Sequence, residues 1–294
     1  MQGYAGGIVT LLAINGIAAL GVSLFTGFTG IFTLGHAGYM AIGAYTAAIL
    51  TVEYGIHFLP AIISVGIFAM VVADLIGIPT LKLVGDYYAI ASLGLGEAIR
   101  LVIENWDSVT RGARGYPGID GFTTMPVAIA FLVVMTVAMF FLVYSSYGRV
   151  FKACRDDYVA ASLLGFNTAR YRILSLAISG FYCGVAGALL AGFMSFIQPV
   201  MFDQAKSTEL VSVVVFGGLG SMSGCLIGTT ILTLITELFR PISQYRMLIY
   251  GLVLVLIMVL RPEGIMGTNE LTRAYIKKIF SKKNKAKPAE EGAN

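Results

Sequence analysis

Nine apolar segments follow one another along this chain, at 6–26, 33–52, 59–79, 87–104, 124–144, 172–194, 208–221, 224–239 and 246–261. About 20 apolar residues in a helix cross roughly 30 Å of hydrocarbon, and most of these segments approach that length. The segments are too many to bury against one another in water. The sequence is 57% hydrophobic and only 12% charged, whereas a soluble domain is about 45–50% apolar and about 25% charged. The expected fold is all-α: a polytopic integral membrane helical bundle of about nine transmembrane segments (eight to ten). The pieces 208–221 and 224–239 are short, and read either as full spans or as halves of a broken one.

Charge supplies a topology. Residues 261–294 carry eight Lys and Arg against four Glu, while the first 260 residues hold twelve basic and twelve acidic residues, so the net charge of +4 is all in the tail. Short basic segments beside spans stay in the cytoplasm. The tail 262–294 and the loop 145–171, with Arg149, Lys152, Arg155 and Arg170, are therefore placed there, and no nucleic-acid partner is expected. Counting back through five spans puts the N-terminus outside. Lys82 then falls inside, while Arg111, Arg114, Arg240 and Arg246 sit against the rule. The opening MQGYAGG lacks a basic n-region, so no cleaved leader is expected. The chain divides into a first membrane half (1–144), the loop (145–171), a second half (172–261) and the tail.

Two spans are interrupted by glycine. The stretch FTGFTGIFTLGHAG (25–38) includes Thr33, Gly35, His36 and Gly38, and VVVFGGLGSMSGCLIGTTIL (213–232) includes Gly217, Gly218, Gly220, Ser221 and Ser223. Small residues let membrane helices approach closely, so Gly35, Gly38 and Gly43 imply tight packing at a bundle centre. Irregular backbone at membrane depth is tolerated only inside protein or beside a water-filled path. Breaks at corresponding places in two halves point to a transport site. The pair implies an internal repeat with both breaks facing a translocation pathway; the competing reading is close-packing glycine patches alone.

Ionisable groups in the spans are few. His36 has no second histidine near it, the other being His57, so it is read as a structural group lining the pathway and not as a metal ligand. Glu97 and Arg100, three residues apart, share a helix face and form a structural ion pair. Asp74 and Glu237 fall near span ends. Cys154, Cys183 and Cys225 match no metal or redox spacing and read as small core residues.

The loop centre, 156–165, has the pattern of a short helix with Val159, Ala160 and Leu163 on one face, stopped by Gly165 with Asn167. A short amphipathic helix between spans suits docking into a partner's groove. Here the sequence resembles a known family. DDYVAASLLG is similar to the coupling-loop motif of ABC importer permeases, in which Ala-Ala, three residues and Gly recur; the acid often found before the alanines is here Val159, with Asp156 and Asp157 upstream. TGFTGIFTLGHAGYMAIGAYTAA, LVGDYYAIASLGLGEAIRLV, VVFGGLGSMSGCLIGT and RPEGIMG extend the likeness over about residues 5 to 267. Together they resemble the branched-chain amino acid ABC permeases, and within them the M type.

That resemblance implies a bacterial inner-membrane permease subunit. It would share a translocation pathway with a second permease, receive solute from an extracytoplasmic binding protein, and couple to two ATPase subunits docked on the permeases' cytoplasmic loops, here through Asp156, Asp157, Ala160, Ala161, Gly165 and Asn167. The chain has no G-x-x-x-x-G-K-[ST] loop, so it is expected to be no enzyme and to hold no cofactor; ATP and Mg would bind the ATPase partners. The solute would be a branched-chain amino acid, with urea or another amide as the alternative within the family. A separate reading is an ion-coupled secondary transporter relaying charge through Glu97, Asp74 or His36. A membrane enzyme would need a cluster such as H-E-x-x-H, which is absent.

Overall fold

The computed structural model describes residues 3–83, 85–238, 251, 264 and 267. Apart from those isolated positions, the span expected at 246–261 and the basic tail lie outside the described residues. Helices occupy the other eight expected span positions: α1 (Tyr4–Val22, continued as a π-helix over Ser23–Phe28), α2 (His36–Val52), α3 (Phe58–Thr80), α4 (Asp86–Asn105), α6 (Met125–Tyr144), α9 (Thr168–Met194), α10 (Gln204–Gly217) and α11 (Met222–Leu238). Short helices α5 (Asp107–Thr110), α7 (Ser146–Asp156) and α8 (Tyr158–Leu163) lie between them, and strands β1 (Tyr116–Pro117) and β2 (Phe196–Ile197) pair antiparallel.

Among the described residues, four helices are long and apolar enough to cross a membrane by length and composition: Tyr4–Phe28, Phe58–Thr80, Met125–Tyr144 and Thr168–Met194. Three of the others differ for identifiable reasons. Helix α4 is 20 residues long but carries Asp86, Glu97, Arg100 and Glu104. Helices α2, with 17 residues, and α10, with 14, are shorter because each begins inside the bundle.

Helix α9 is the axis. Glycines bring α1, α2 and α3 against it: a Cβ on Gly43 would lie 2.2 Å from the Gly184 carbonyl oxygen, one on Gly21 2.7 Å from Tyr182 Cβ, and one on Gly180 2.6 Å from Ala73 Cβ. No larger side chain fits these crossings, so the glycine-for-packing reading of Gly43 holds. Helices α1 and α9 are buried along most of their length, whereas α6 is mostly exposed. Exposed Leu59, Ile63, Ile67, Val71 and Leu75 recur every four residues on α3, giving a face suited to lipid.

Contacts along the helices give their directions. Helix α1 runs antiparallel to α9, since Gly7 neighbours Phe193 and Gly21 neighbours Ser179. It descends toward the end of the bundle that carries α7 and α8, here the loop face. Helix α2 runs with α9 toward the opposite, far face, because His36 meets Ser179 and Gly187 nests between Met40 and Ala44. After α1, then, the chain returns from the loop face through irregular residues 29–35 and starts α2 in the interior. After α9 it returns from the far face through 195–203 and starts α10 in the interior, descending. These two units are related by inversion, and their inner ends meet where Ala37 N donates to Ser207 Oγ at 3.2 Å.

An internal repeat is therefore present, but its second break is 195–203. The glycine-rich stretch 213–232, expected to be that break, is a tight helical hairpin. Gly217 packs on Gly224, and Gly228 on Val213 and Gly217, with the turn at 218–221 carrying positive φ at Gly218 and Gly220.

Candidate functional site

The first break places His36 at the start of α2, beside Ser179, the twelfth residue of α9. At a rise of 1.5 Å per residue this level is about 16 Å from one end of α9 and about 22 Å from the other, inside any membrane span. His36 is fully buried. Its Nε2 lies 2.6 Å from Ser179 Oγ, and that hydroxyl donates to the Gly21 carbonyl at 2.8 Å. The serine has one proton, already given to Gly21, so Nε2–H must be the donor and the ring is the Nε2 tautomer. Nδ1 is buried without a hydrogen-bond partner, and a second proton there would have no acceptor. Phe25 packs at 6.0 Å and Tyr39 edge-on at 5.7 Å between ring centroids. His36 thus ties together α1, α2 and α9.

The remaining break residues are equally enclosed. Thr33 is 1% exposed, and its Oγ1 accepts from Gly35 N. Gly35 and Gly38 abut Ser92 and Gly96 of α4. Gly217, Gly218, Gly220 and Ser221 are buried, with Ser223 half-buried, and Ser221 Oγ accepts from Gly224 N at 3.1 Å. Sequence reasoning placed all nine positions on a pathway wall; in this chain eight of them are buried and Ser223 is half-buried.

The two glycine stretches do converge, through a residue the sequence reading did not single out. A Cβ on Gly27 would lie 2.7 Å from Gly220 N, and both Gly30 and Gly220 abut Arg155. Arg155, in the last turn of α7, donates from Nη1 to the Gly27 carbonyl at 3.4 Å and from Nη2 to Asp156 at 3.1 Å. Gly30 and Gly220 have φ of +77° and +88°, a conformation that favours glycine, and the Arg155 side chain occupies the space a Cβ would take. Lys152 Nζ also sits 5.6 Å from the Phe28 ring. The loop is thereby keyed into the bundle at both glycine stretches.

The loop helix is shorter than expected. Asp156 ends α7, and α8 covers Tyr158–Leu163. Asp157 is its N-cap, its Oδ1 accepting from Val159 N and Ala160 N at 2.8 and 3.0 Å. Gly165, at φ +88° with open space around it, turns the chain out of the helix. Asn167 does not stop α8; it caps the next helix, accepting from Arg170 N at 3.2 Å. Ala161 is anchored in a small cluster with Val150 and Cys154, while Val159, Leu163 and Leu164 are exposed, the last two by 84% and 76%. The second of the paired alanines faces in and the first faces out.

Arg100 is shared between two carboxylates: it pairs with Glu97 and, at 2.6 Å, with Glu104. On α10, Lys206 Nζ bonds Asn15 Oδ1 of α1 at 3.0 Å and Glu209 at 3.1 Å. A small cleft between these helices is lined by Leu93, Glu97, Asp203 and Gln204. Sequence spacing found the Glu97–Arg100 pair but not the α10 group, whose neighbours come from distant parts of the chain. Among Arg111 and Arg114, which strain the charge rule, Arg111 lies 4.5 Å over the Tyr116 ring, whose hydroxyl donates to Glu53 at 2.7 Å.

A family model described as branched-chain amino acid transport system, permease component, matches residues 4–259. The chain is 31% identical to the high-affinity branched-chain amino acid transport system permease protein LivM of Escherichia coli K12, over 92% of this chain and 71% of that protein. It is 26% identical to the corresponding LivH of Salmonella typhimurium, over 90% of this chain and 95% of the relative. The probable LivM of Methanocaldococcus jannaschii is 25% identical, over 92% and 86%. No solved structure matches. The chain belongs to the family of permease components of branched-chain amino acid transport systems.

Proposed function

We propose that this chain is the M-type permease subunit of a binding-protein-dependent ABC importer of branched-chain amino acids. It pairs with a second permease of the LivH kind, and relatives of both kinds support that pairing. Two ATPase subunits bind ATP and Mg and dock on the coupling loops of the permease pair, here through α8, and an extracytoplasmic binding protein delivers the solute. The complex lies in the bacterial inner membrane with the loop face and the basic tail cytoplasmic and the N-terminus outside.

The observation that carries the docking is the apolar tip of α8. Tyr158, Val159 and Leu163 are exposed on a six-residue helix fixed by its Asp157 cap and by Ala161, and Leu164 and Phe166 are exposed just beyond its end. Exposed apolar side chains rimmed by polar ones mark protein interfaces, and the same helix is keyed by Arg155 and Lys152 on α7 to the glycine stretches. A push on α8 is therefore felt at the level where the chain returns into the bundle.

The test is gentle affinity purification of the tagged chain from its native membranes, with mass identification of what it retains. Recovery of a second permease and an ATPase in comparable amounts is expected. Recovery of the chain alone, still transporting after reconstitution, would make it a secondary carrier. In the recovered complex, Leu163→Asp with Leu164→Asp should release the ATPase subunits. Gly165→Val forces a β-branched residue to φ +88°, a strain of about 1–3 kcal/mol. It should leave ATP hydrolysis in place while leucine uptake falls; coupled uptake at the parental rate in that variant counts against the assignment.

A further inference from the structure

We infer that the groove between α2, α3 and α4 is a phospholipid site, which takes an acyl chain from the far leaflet of the membrane while Arg111 holds the lipid's phosphate at its mouth. The inference rests on the membrane-spanning fold alone and stands whether or not the importer reading does.

The chemistry of the wall is the first argument. The groove has a volume of about 570 Å³, within the range of small-molecule sites. Of the side chains that line it, only Tyr45, Thr46, Trp106 and Thr110 carry a polar atom, and none carries a charge. A zwitterionic solute has nothing there to pair with. Tyr45 is 2% exposed, and its hydroxyl is buried with no hydrogen-bond partner among the described residues. An ester-linked chain brings the acceptor that the groove lacks; the apolar side chains of another helix would not.

Length and depth are the second. On α4 the lining runs from Leu95 to Trp106, about 16 Å, against about 15 Å for half of a bilayer's hydrocarbon. Gly35 abuts Ser92 and Gly38 abuts Gly96, so α4 runs with α2 toward the far face. The inner end of the groove, at Leu95, therefore lies near the level of His36, and the outer end lies at the far face. A volume of about 570 Å³ over that length is about 35 Å² in mean section. A helix, about 10 Å across with its side chains, needs about twice that. Nor does the wall hold a glycine, the residue that lets membrane helices approach most closely; Ile49, Phe68 and Val102 stand there among others.

The mouth is the third. Trp106, the single tryptophan of the chain, is 52% exposed at the outer end, where tryptophans settle at headgroup level. Thr110 lines that end, and Arg111 follows it. Arg111, which sits against the charge rule on the far face, is exposed and makes no ion pair among the described residues. Its guanidinium lies 4.5 Å over the Tyr116 ring, whose hydroxyl is bonded to Glu53 at the end of α2. Arg111 is thus held where α2 and α4 both end. A planar guanidinium with open donors matches the geometry of a phosphate.

The test uses the full chain, purified in detergent with whatever subunits it retains. Phosphatidylglycerol brominated on its acyl chains, a contact quencher of indole fluorescence, is added in increments. The Trp106→Phe variant supplies the background of any other tryptophan. The Trp106 signal should fall and then level off at one lipid per chain. Ala98→Phe, at an exposed position of the groove wall, should abolish that saturation, and Val134→Phe on the exposed face of α6 should leave it as in the parent. Arg111→Gln should raise the half-saturating lipid about tenfold, the effect of a charge-assisted hydrogen bond, and Tyr45→Phe about threefold. Quenching that never levels off, or that is the same in Ala98→Phe, overturns the site. Saturation indifferent to Arg111→Gln overturns the phosphate contact, and saturation indifferent to Tyr45→Phe overturns the hydroxyl's part. Cross-linking of Ala98→Cys to a retained subunit, in higher yield than Val134→Cys, would give the groove to a protein partner and overturn the lipid assignment.

Discussion

Ser179 holds two groups at once, accepting from His36 and donating to Gly21. Ser179→Ala leaves a ring N–H and a carbonyl unpaired in a dry interior. The cost should be about 1–3 kcal/mol, read as a lowered unfolding midpoint in detergent. A midpoint unchanged from the parent would mean that His36 finds another acceptor. Cys154, on α7 and outside the spans, gives a second residue-scale outcome. Burial pushes its thiol up, with Arg172 opposing in part, and the thiolate is the reactive form. Alkylation in the native protein should be slow at neutral pH and quicken as pH rises; prompt neutral labelling would show the pocket to be open. Residue identity marked His36 as unusual, an ionisable group within a span. It did not tell that Ser179, 143 positions away, completes it, because pairing across helices leaves no local pattern.

Glycines of different helices do different jobs, and the elements around them decide which. Gly43 of α2 meets the backbone of Gly184, while Gly94 of α4 has nothing within 4 Å. Gly43→Leu must drive α2 from α9 and should cost about 1–3 kcal/mol or more. Gly94→Leu should change the stability of the isolated chain by no more than about 0.5 kcal/mol. Equal losses in thermal unfolding would deny that packing separates them. The sequence shows both simply as glycines in apolar runs. Arg155 belongs to the same scale, since it joins α7 to both glycine stretches. Arg155→Ala should keep ATPase docking but reduce uptake between about twofold and about thirtyfold, the effect of ~0.5–2 kcal/mol of coupling. Its basic neighbours disguised it in the sequence as one more positive charge of a cytoplasmic loop.

Across the described residues, burial is concentrated on α1, α2 and α9, and stability should follow it. Regions rich in buried contacts open last. Amide exchange followed by mass spectrometry should therefore show α1, α2 and α9 protected longest and α8 exchanging first; uniform protection would contradict a buried centre. Class and span placement were legible without coordinates, because apolar length and the scarcity of charge are properties of consecutive residues: eight helices stand within a few residues of where hydropathy put them. The short helix of the loop was legible for the same reason, as a patterned segment between basic residues, and stands at Tyr158–Leu163. Where the halves meet was not. The inverted pair, with its second break at 195–203 and not in the glycine-rich hairpin, depends on which helices run together, and glycine content reports closeness without reporting direction. The assignment of polar groups was undecidable too. His36, Thr33 and Ser221 are sealed between helices while Glu97, Lys206 and Glu209 reach the surface, since burial is set by neighbours that folding brings from far along the chain.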